Sequence, residues 1–462
     1  MEYPGSRMTR PVRLTLLAFF IVLFFLLCPV IIMYTAGYRY DWRQGLLRET
    51  GAIDIDILPK NTAVFLNEIK VKTKMPARLN DRVPGKYEVR LLAPGYRVWT
   101  KEIEVKNKQT VYIKEISLLK DGQPELLAEG HLTETISSDG RYLVLLKQNN
   151  DKIEVELMDA AALPTDKIST LPSDRLSASQ VRLLAVLPSG DYTAKWAPDN
   201  DFFVVSKTKP PISTLLIFRA SEPDKKIDLA ALAKAPITKF QWKESSEAEL
   251  YFSTAEEIFS FLPIQESITK LSKNKFQDWL AEGGQFWVLT TDEEKKIKLI
   301  SDALGFSNEY GPTDALGENA AEFRLAAAKN GTVLLKRIDR PEMLIIRSDE
   351  KFSVAGEKFL LSPYNDWWLI WTPWEIWTYN AKEEPNLLNR SGQQLRQILP
   401  LDEHNTLALV WAEKTTALFP YYLVSEDLIG GALTSAAADY NKKIMYFSGA
   451  LDGKSGLWRL GY

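Results

Sequence analysis

The 462-residue chain is poor in the groups that carry most enzyme chemistry. Its single cysteine, Cys28, lies inside the one long apolar run, so no intramolecular disulfide can form. Its two histidines, His131 and His404, are far apart and each stands beside an expected turn, so both are expected in solvent. So few soft ligands cannot build a zinc-type cluster. No G-x-S-x-G nucleophile elbow and no phosphate-cradling P-loop occurs. Calcium-loop spacing is also missing. Asp452-Gly453-Lys454-Ser455-Gly456 reads instead as a hairpin tip. A Ser–His–Asp triad stays open, although neither histidine has a signature around it. Lys+Arg number 57 against 60 Asp+Glu, a net charge of −3, so nothing drives binding to nucleic acid. No catalytic residue, cofactor or metal ligand is expected.

What the chain does have is one run, residues 14–38, without a charge, and residues 14–33 are almost purely apolar. About 20 such residues in a helix cross a hydrocarbon core of about 30 Å. A cleaved signal would have a shorter apolar region and a small-residue cleavage site, and Thr35-Ala36-Gly37 is a poor one. A lipoprotein signal would place small residues before Cys28, where Phe25-Leu26-Leu27 stands. A core helix would carry polar residues somewhere in five turns. Residues 14–35 therefore read as an uncleaved transmembrane helix in the lipid bilayer, with Pro29 as a tolerated kink. Arg7, Arg10 and Arg13 on one flank nearly balance Arg39, Arg43 and Arg48 on the other. Long domains translocate largely regardless of such charges. The expected topology is a cytoplasmic tail at 1–13 and everything beyond the span outside. A neck at 36–50 follows, where Tyr34, Tyr38, Tyr40 and Trp42 suit an interfacial aromatic belt. An exported domain without disulfides points to a prokaryotic envelope.

Thirteen Trp, eighteen Tyr and twenty Phe, with many short β-branched runs, argue for a mainly β chain. Helical patterns are scarce; residues 227–235 and 274–281 each fit a short helix or a loop. Between 51 and 120, apolar and polar residues alternate: Ile53, Ile55 and Ile57; Val64 and Leu66; Tyr87, Val89 and Leu91; Ile103 and Val105; Val111 and Ile113. This is the period of half-buried strands, separated by Pro59-Lys60-Asn61, Pro84-Gly85 and Pro94-Gly95. The expected fold is a small antiparallel β-sandwich. Pro59 to Asn67, then Pro84-Gly85-Lys86-Tyr87-Glu88-Val89, Gly95-Tyr96-Arg97-Val98-Trp99 and Ile103-Glu104-Val105 resemble the PEGA domain. Asn61, Thr62 and Glu68 stand where that family prefers Gly, Ala and Gly. Asn tolerates a left-handed turn, which makes the change at Asn61 mild. The resemblance implies an extracytoplasmic spacer or binding module without catalytic residues. Tyr96 and Trp99 either pack in it or offer a sugar-stacking face.

From residue 121 to 462 a turn rich in Asp, Asn, Gly or Pro recurs before an apolar strand. Examples are Ser138-Asp139-Gly140, Trp196-Ala197-Pro198-Asp199-Asn200 and Asp402-Glu403-His404-Asn405. Eight such turns between residues 139 and 440 give a mean spacing of about 43 residues, the period of a β-propeller blade. One of them, at Trp242-Lys243-Glu244, lacks Gly, Asn and Pro. Trp196 to Asn200 resembles the W-S-P-D-G turn of TolB-type, WD40-like propellers. Seven or eight blades are expected, closed by residues 123–130 against the segment around Gly456 to Leu460.

Five tryptophans crowd residues 367–377. Alternation puts Trp367 and Trp371 on one sheet face and Trp368 on the other, as packing between blades requires. Trp374, at the turn, is the candidate exposed contact. Two functions are open. One is a membrane-anchored binding or scaffolding protein that presents a propeller to an envelope protein or polysaccharide, with Trp374, Trp99 and Tyr96 as candidate contacts. The other is a propeller hydrolase or lyase acting on glycans. A propeller hosts either, so the fold does not decide.

Overall fold

The computed structural model describes residues 10–35, 37–41, 45–130, 132–162, 181–245, 247–272, 276–282, 285–291, 297–303, 306–309, 322–348, 350–362, 366–380 and 383–462. His131, Trp42, Arg43 and the Pro363-Tyr364-Asn365 part of one expected turn lie outside them. The chain divides into two compact units, residues 1–121 and 122–462.

The first unit opens with helix α1 (Arg10–Thr35). Its described side chains are exposed, apart from the partly covered Leu23 and Cys28. At 1.5 Å per residue its length is about 39 Å. The hydroxyls of Thr15 and Thr35 donate to the carbonyls of Pro11 (2.9 Å) and Ile31 (3.0 Å), so neither is left unsatisfied in an apolar setting. Pro29 lies inside the helix and removes one backbone donor there. The helix is long and apolar enough to cross a membrane.

The neck is a hairpin, β1 (Tyr38–Asp41) and β2 (Leu46–Glu49). Arg39 lies over the Tyr34 ring, 3.6 Å from its centroid, and pairs with Asp81 at 2.6 Å. Lys108 joins Glu49 (2.9 Å) and lies over the Tyr38 ring. Two of the expected belt residues, Tyr34 and Tyr38, thus pack against cations of the same unit.

Strands β3 (Gly51–Leu58), β4 (Ala63–Leu66), β5 (Ile69–Lys70), β6 (Ala77–Arg82), β7 (Gly85–Leu92), β8 (Trp99–Val105) and β9 (Thr110–Ser117) form two sheets, ordered β6-β3-β9 and β5-β4-β7-β8. Ile53, Ile55 and Ile57 are buried while Asp54 and Asp56 face outward, as period two requires. Two details differ from expectation. The β3–β9 pair is parallel, because the two ends of the sandwich lie side by side and the rest of the unit serves as the crossover. Asn61 is not left-handed either; Asn67 (φ 47°) and Glu68 (φ 66°) are, forming the two-residue hairpin between β4 and β5.

In the second unit the described residues form eight four-stranded antiparallel sheets. Blades 1 to 7 span residues 132–188, 192–228, 239–272, 278–309, 323–355, 358–390 and 395–430. Blade 8 joins residues 433–461 to Glu125–Glu129. Large side chains fill each seam: Phe203 and Val144 between blades 1 and 2, Trp242 and Phe202 between 2 and 3, Trp279 and Tyr251 between 3 and 4. Trp287 and Phe323 follow between 4 and 5, Trp368 and Met343 between 5 and 6, and Trp371 and Leu395 between 6 and 7. Trp368 and Trp371 therefore face opposite neighbours, as alternation demands. Arg396 donates to the Leu433 carbonyl and Gln397 to that of Ala436, joining blade 7 to blade 8. Tyr446 and Leu143 join blade 8 to blade 1. The ring is closed: a β-propeller. Each such buried side chain contributes about 1.5–3 kcal/mol, so blades that are marginal alone are held by their neighbours.

Closure follows the expected pairing, Glu125 opposite Arg459 and Glu129 opposite Gly456. Six of the eight expected turns, including the one at Lys243, lie among the described residues, and each joins the first strand of a blade to the second; the other two reach into residues 283–284 and 363–365, outside them. Their chemistry repeats. In the first two, Asp139 and Asp199 accept backbone N–H bonds from residues two or three further on, and Gly140 (φ 68°) and Asn200 (φ 62°) are left-handed. The described part of 274–281, residues 276–281, is not helical: Asp278–Glu282 is a strand, and burial on both faces removed the alternation that would have marked it. Residues 227–235 do contain a short helix, Leu229–Ala233.

Candidate functional site: a cationic propeller channel

The first strands of neighbouring blades lie innermost, because they bond directly to one another. Gln241 exchanges two bonds with the Ala281 backbone, and Asp278 and Glu282 accept from the backbone N–H groups of Leu325 and Ala328. Side chains on these strands therefore line the axis. At the end where the strands begin, three cations reach across to the next blade. Lys239 reaches Asp278 (2.7 Å) and donates to the Trp279 carbonyl on blade 4. Lys358 donates to the Arg396 carbonyl on blade 7 (2.7 Å), and Arg396 to the Leu433 carbonyl on blade 8 (2.8 Å). The same device, a cation tied to the next blade's inner strand, thus recurs three times. One strand layer deeper, Lys195 of blade 2 lies over the Phe240 ring of blade 3, 5.4 Å from its centroid.

These charges are felt. Burial, then repulsion from Lys239, holds the Lys195 ammonium below the ordinary lysine range. The Lys195 side chain is solvent-exposed. Burial also lowers Lys239; Asp278 opposes this and Arg324 adds to it. A cleft of about 610 Å³ opens at the rim between blades 6 and 7, lined by Glu357, Lys358, Thr372, Pro373, Gln394 and Arg396. Trp374 follows Pro373 at the hairpin turn and is 51 % exposed.

At the opposite end a cleft of about 670 Å³ is lined by Glu244, Glu282, Gln285, Lys329 and Ser362. Burial raises the Glu282 carboxyl to about 7, against the pull of the Ala328 N–H. Also at this end, Trp367 stacks on Tyr421 of blade 7 at 5.4 Å, and Tyr421 is largely exposed.

Of the three candidate contacts, Trp374 is exposed, Tyr96 is half-buried, and Trp99 is fully enclosed in the sandwich core. The Trp99 ring has no face to offer a ligand, because its strand turns that side inward. His404, expected in solvent, is half-buried in the first turn of blade 7. Sequence reasoning missed the channel cations. Each sits in a different repeat, and only circular closure brings them together. For Lys239, Lys358 and Arg396 the signal was their common place at the start of an inner strand; Lys195, next to last in Tyr192–Trp196, shares no such place.

Residues 50–117 match the PEGA domain family. No curated protein shows significant similarity to the chain. Among solved structures the chain is similar to the β-propeller domain of Cps50 (Swd1) from Myceliophteria thermophila, at 10 % identity and a TM-score of 0.41, covering 73 % of this chain and 99 % of that one. It is also similar to the WD40 domain of SCAP from fission yeast, at 9 % identity and 0.41, covering 74 % and 98 %. An uncharacterized protein of Listeria monocytogenes EGD-e matches at 9 % and 0.39, covering 68 % and 98 %. Likeness of this degree adds no argument about function; the propeller stands on the ring of sheets itself.

Proposed function

We propose that the chain is a single-pass membrane protein whose PEGA domain and propeller stand outside the cytoplasm and bind a protein or polysaccharide of the cell envelope. The observation that carries this reading is the order of parts: an exposed apolar helix able to span a bilayer, a PEGA domain, then a closed propeller. A propeller offers a rigid ring whose two ends are built from turns, the usual place for contacts. Trp374 is the aromatic anchor, exposed beside the rim cleft and held by a turn in which the Thr372 hydroxyl accepts from the N–H groups of Trp374 (3.2 Å) and Glu375 (3.1 Å). The test is retention of the full chain on an envelope fraction. Trp374→Ala weakens retention without lowering the melting point; unchanged retention removes Trp374 from the contact.

A second reading has its own observation. Glu282, raised to about 7 in a cleft it shares with Glu244, has the character of a general acid. On that reading the propeller hydrolyses a glycan. If the full chain cleaves an envelope glycan and Glu282→Gln abolishes cleavage, the enzyme reading replaces the binding one.

A further inference from the structure

Two clefts open at the end of the propeller where the inner strands begin, and they meet at one residue. The rim cleft between blades 6 and 7, about 610 Å³, is also lined by Thr434, near the start of the first strand of blade 8. A second cleft of about 330 Å³ is lined by Thr133 and Gln148 of blade 1 and by Asp191 and Tyr192 at the start of blade 2, and Thr434 lines it as well. The two therefore join over blade 8 into one groove that runs from blade 6 to blade 2. Each part alone has the size of a small-ligand site, so the whole accommodates a chain rather than a compact molecule. Its walls leave hydrogen-bonding capacity unused. Trp371 is only 5 % exposed and lines the rim cleft, and its indole N–H has no acceptor among the described residues. At the other end the covered Tyr192 hydroxyl has no partner among them either. A buried donor without a partner is unfavourable, and a ligand oxygen satisfies it. The side chains of Thr133, Gln148, Gln394 and Thr434 are exposed along the way.

We propose that this groove binds an extended, uncharged polysaccharide. The charged residues that line it are Lys358 and Arg396 against Glu357 and Asp191, so the charges balance and favour neither a polyanion nor a polycation. The apolar residues that line it, Leu146, Ile153, Leu395 and Val410, are each at most 9 % exposed, which leaves little surface to seat the apolar anchors of a protein partner. What remains on offer is amide, hydroxyl, carboxylate and cationic groups together. A sugar hydroxyl both donates and accepts, so it uses all four. Trp374, exposed next to Pro373 of the rim cleft, supplies an aromatic face for a sugar ring at the blade 6 end. Lys358 and Arg396 are held in place beforehand, each bonded to a carbonyl of the next blade, so less side-chain entropy is lost on binding. This deepens the binding reading by choosing polysaccharide over protein, and rests on it.

The test uses the full chain in a detergent without a sugar headgroup, titrated calorimetrically with laminarihexaose, cellohexaose and chitohexaose, with their disaccharides, and with hexagalacturonate as the charged control. At least one uncharged hexasaccharide binds, and binds more tightly than its disaccharide and than hexagalacturonate. Gln394→Ala at the blade 7 end and Tyr192→Phe at the blade 2 end each weaken that binding about threefold to tenfold, the loss of one hydrogen bond. Gln265→Ala, exposed at the opposite end of blade 3, makes the same chemical change away from the groove and binds like the parent. Tyr192→Phe keeps the ring and removes only an unpartnered hydroxyl, so without ligand it melts at or above the parent temperature; a lower melting temperature would contradict the hydroxyl being free for a ligand. The proposal is overturned if no uncharged hexasaccharide binds, if hexagalacturonate binds as tightly, or if only one end of the groove is sensitive to substitution. A chain retained on envelope fractions that binds no uncharged hexasaccharide sinks this proposal alone; loss of envelope retention as well sinks both.

Discussion

Gly140→Ala tests how the first turns of neighbouring blades interlock. Gly140 is left-handed (φ 68°), and a Cβ there would lie 1.8 Å from Oδ2 of Asp439 on blade 8. Asp439 is buried, and its Oδ1 accepts from the N–H groups of Asn441 and Lys442, both at 3.1 Å. Lys442 in turn donates to the Gly140 carbonyl at 2.8 Å. A left-handed alanine costs about 1–2 kcal/mol. Moving the carboxylate weakens two charge-assisted hydrogen bonds, each worth about 1.5–3 kcal/mol. With partial relaxation the total is about 3–5 kcal/mol. Gly453 supplies the control: it is also left-handed (φ 77°), but nothing lies within 4 Å of its added Cβ. Gly453→Ala should therefore cost only the backbone share of about 1–2 kcal/mol. Eleven of the thirteen tryptophans lie beyond residue 121, so denaturant unfolding followed by tryptophan fluorescence reports on the propeller. Equal losses for the two variants would refute the interlock, leaving only backbone strain.

Three further outcomes are expected. Deleting residues 455–462 removes buried Leu457, Trp458, Leu460 and Tyr462, about 6–12 kcal/mol of burial, which rivals a domain's whole stability; unchanged thermal melting would place closure elsewhere. Burial raises the Glu134 carboxyl from the ordinary 4.5 to about 7, although the Ser435 and Ser448 hydroxyls donate to it. The folded state therefore holds that proton more tightly than the unfolded state does. Below about pH 4.5 the group costs nothing; as pH rises to about 7 the fold loses about 3 kcal/mol, and Glu134→Gln should flatten that slope in a pH series of denaturant melts. Glu68→Gly relieves a left-handed non-glycine residue and should stabilise the sandwich by about 1 kcal/mol, read as slower hydrogen exchange in β4 and β7; faster exchange would show that the Glu68 side chain matters more than its backbone.

The sequence revealed what is decided locally. A turn needs Asp, Asn or Gly at a fixed offset, so the repeat showed through even where only Trp196 to Asn200 was nearly complete. Ile53, Ile55 and Ile57 announced a half-buried strand because only one face is covered. Partner choice was not legible: period two says which face of β3 is buried, not that β9 runs parallel beside it. The strand at Asp278–Glu282 was hidden because both of its faces are covered. The channel was hidden for a third reason. Lys239 meets Asp278, and Lys358 meets the Arg396 carbonyl, only once neighbouring blades have packed together, and no local pattern records that contact.

The central claim is that the propeller stands on the far side of the membrane from the N-terminus. Cys28 is the only cysteine and lies within the spanning helix, so labelling of a second cysteine has little background. Lys454→Cys places a thiol on the exposed blade 8 hairpin. A membrane-impermeant maleimide applied to intact cells should label this variant fully and leave the parent unlabelled. Labelling that appears only after permeabilisation would put the propeller in the cytoplasm and contradict the account.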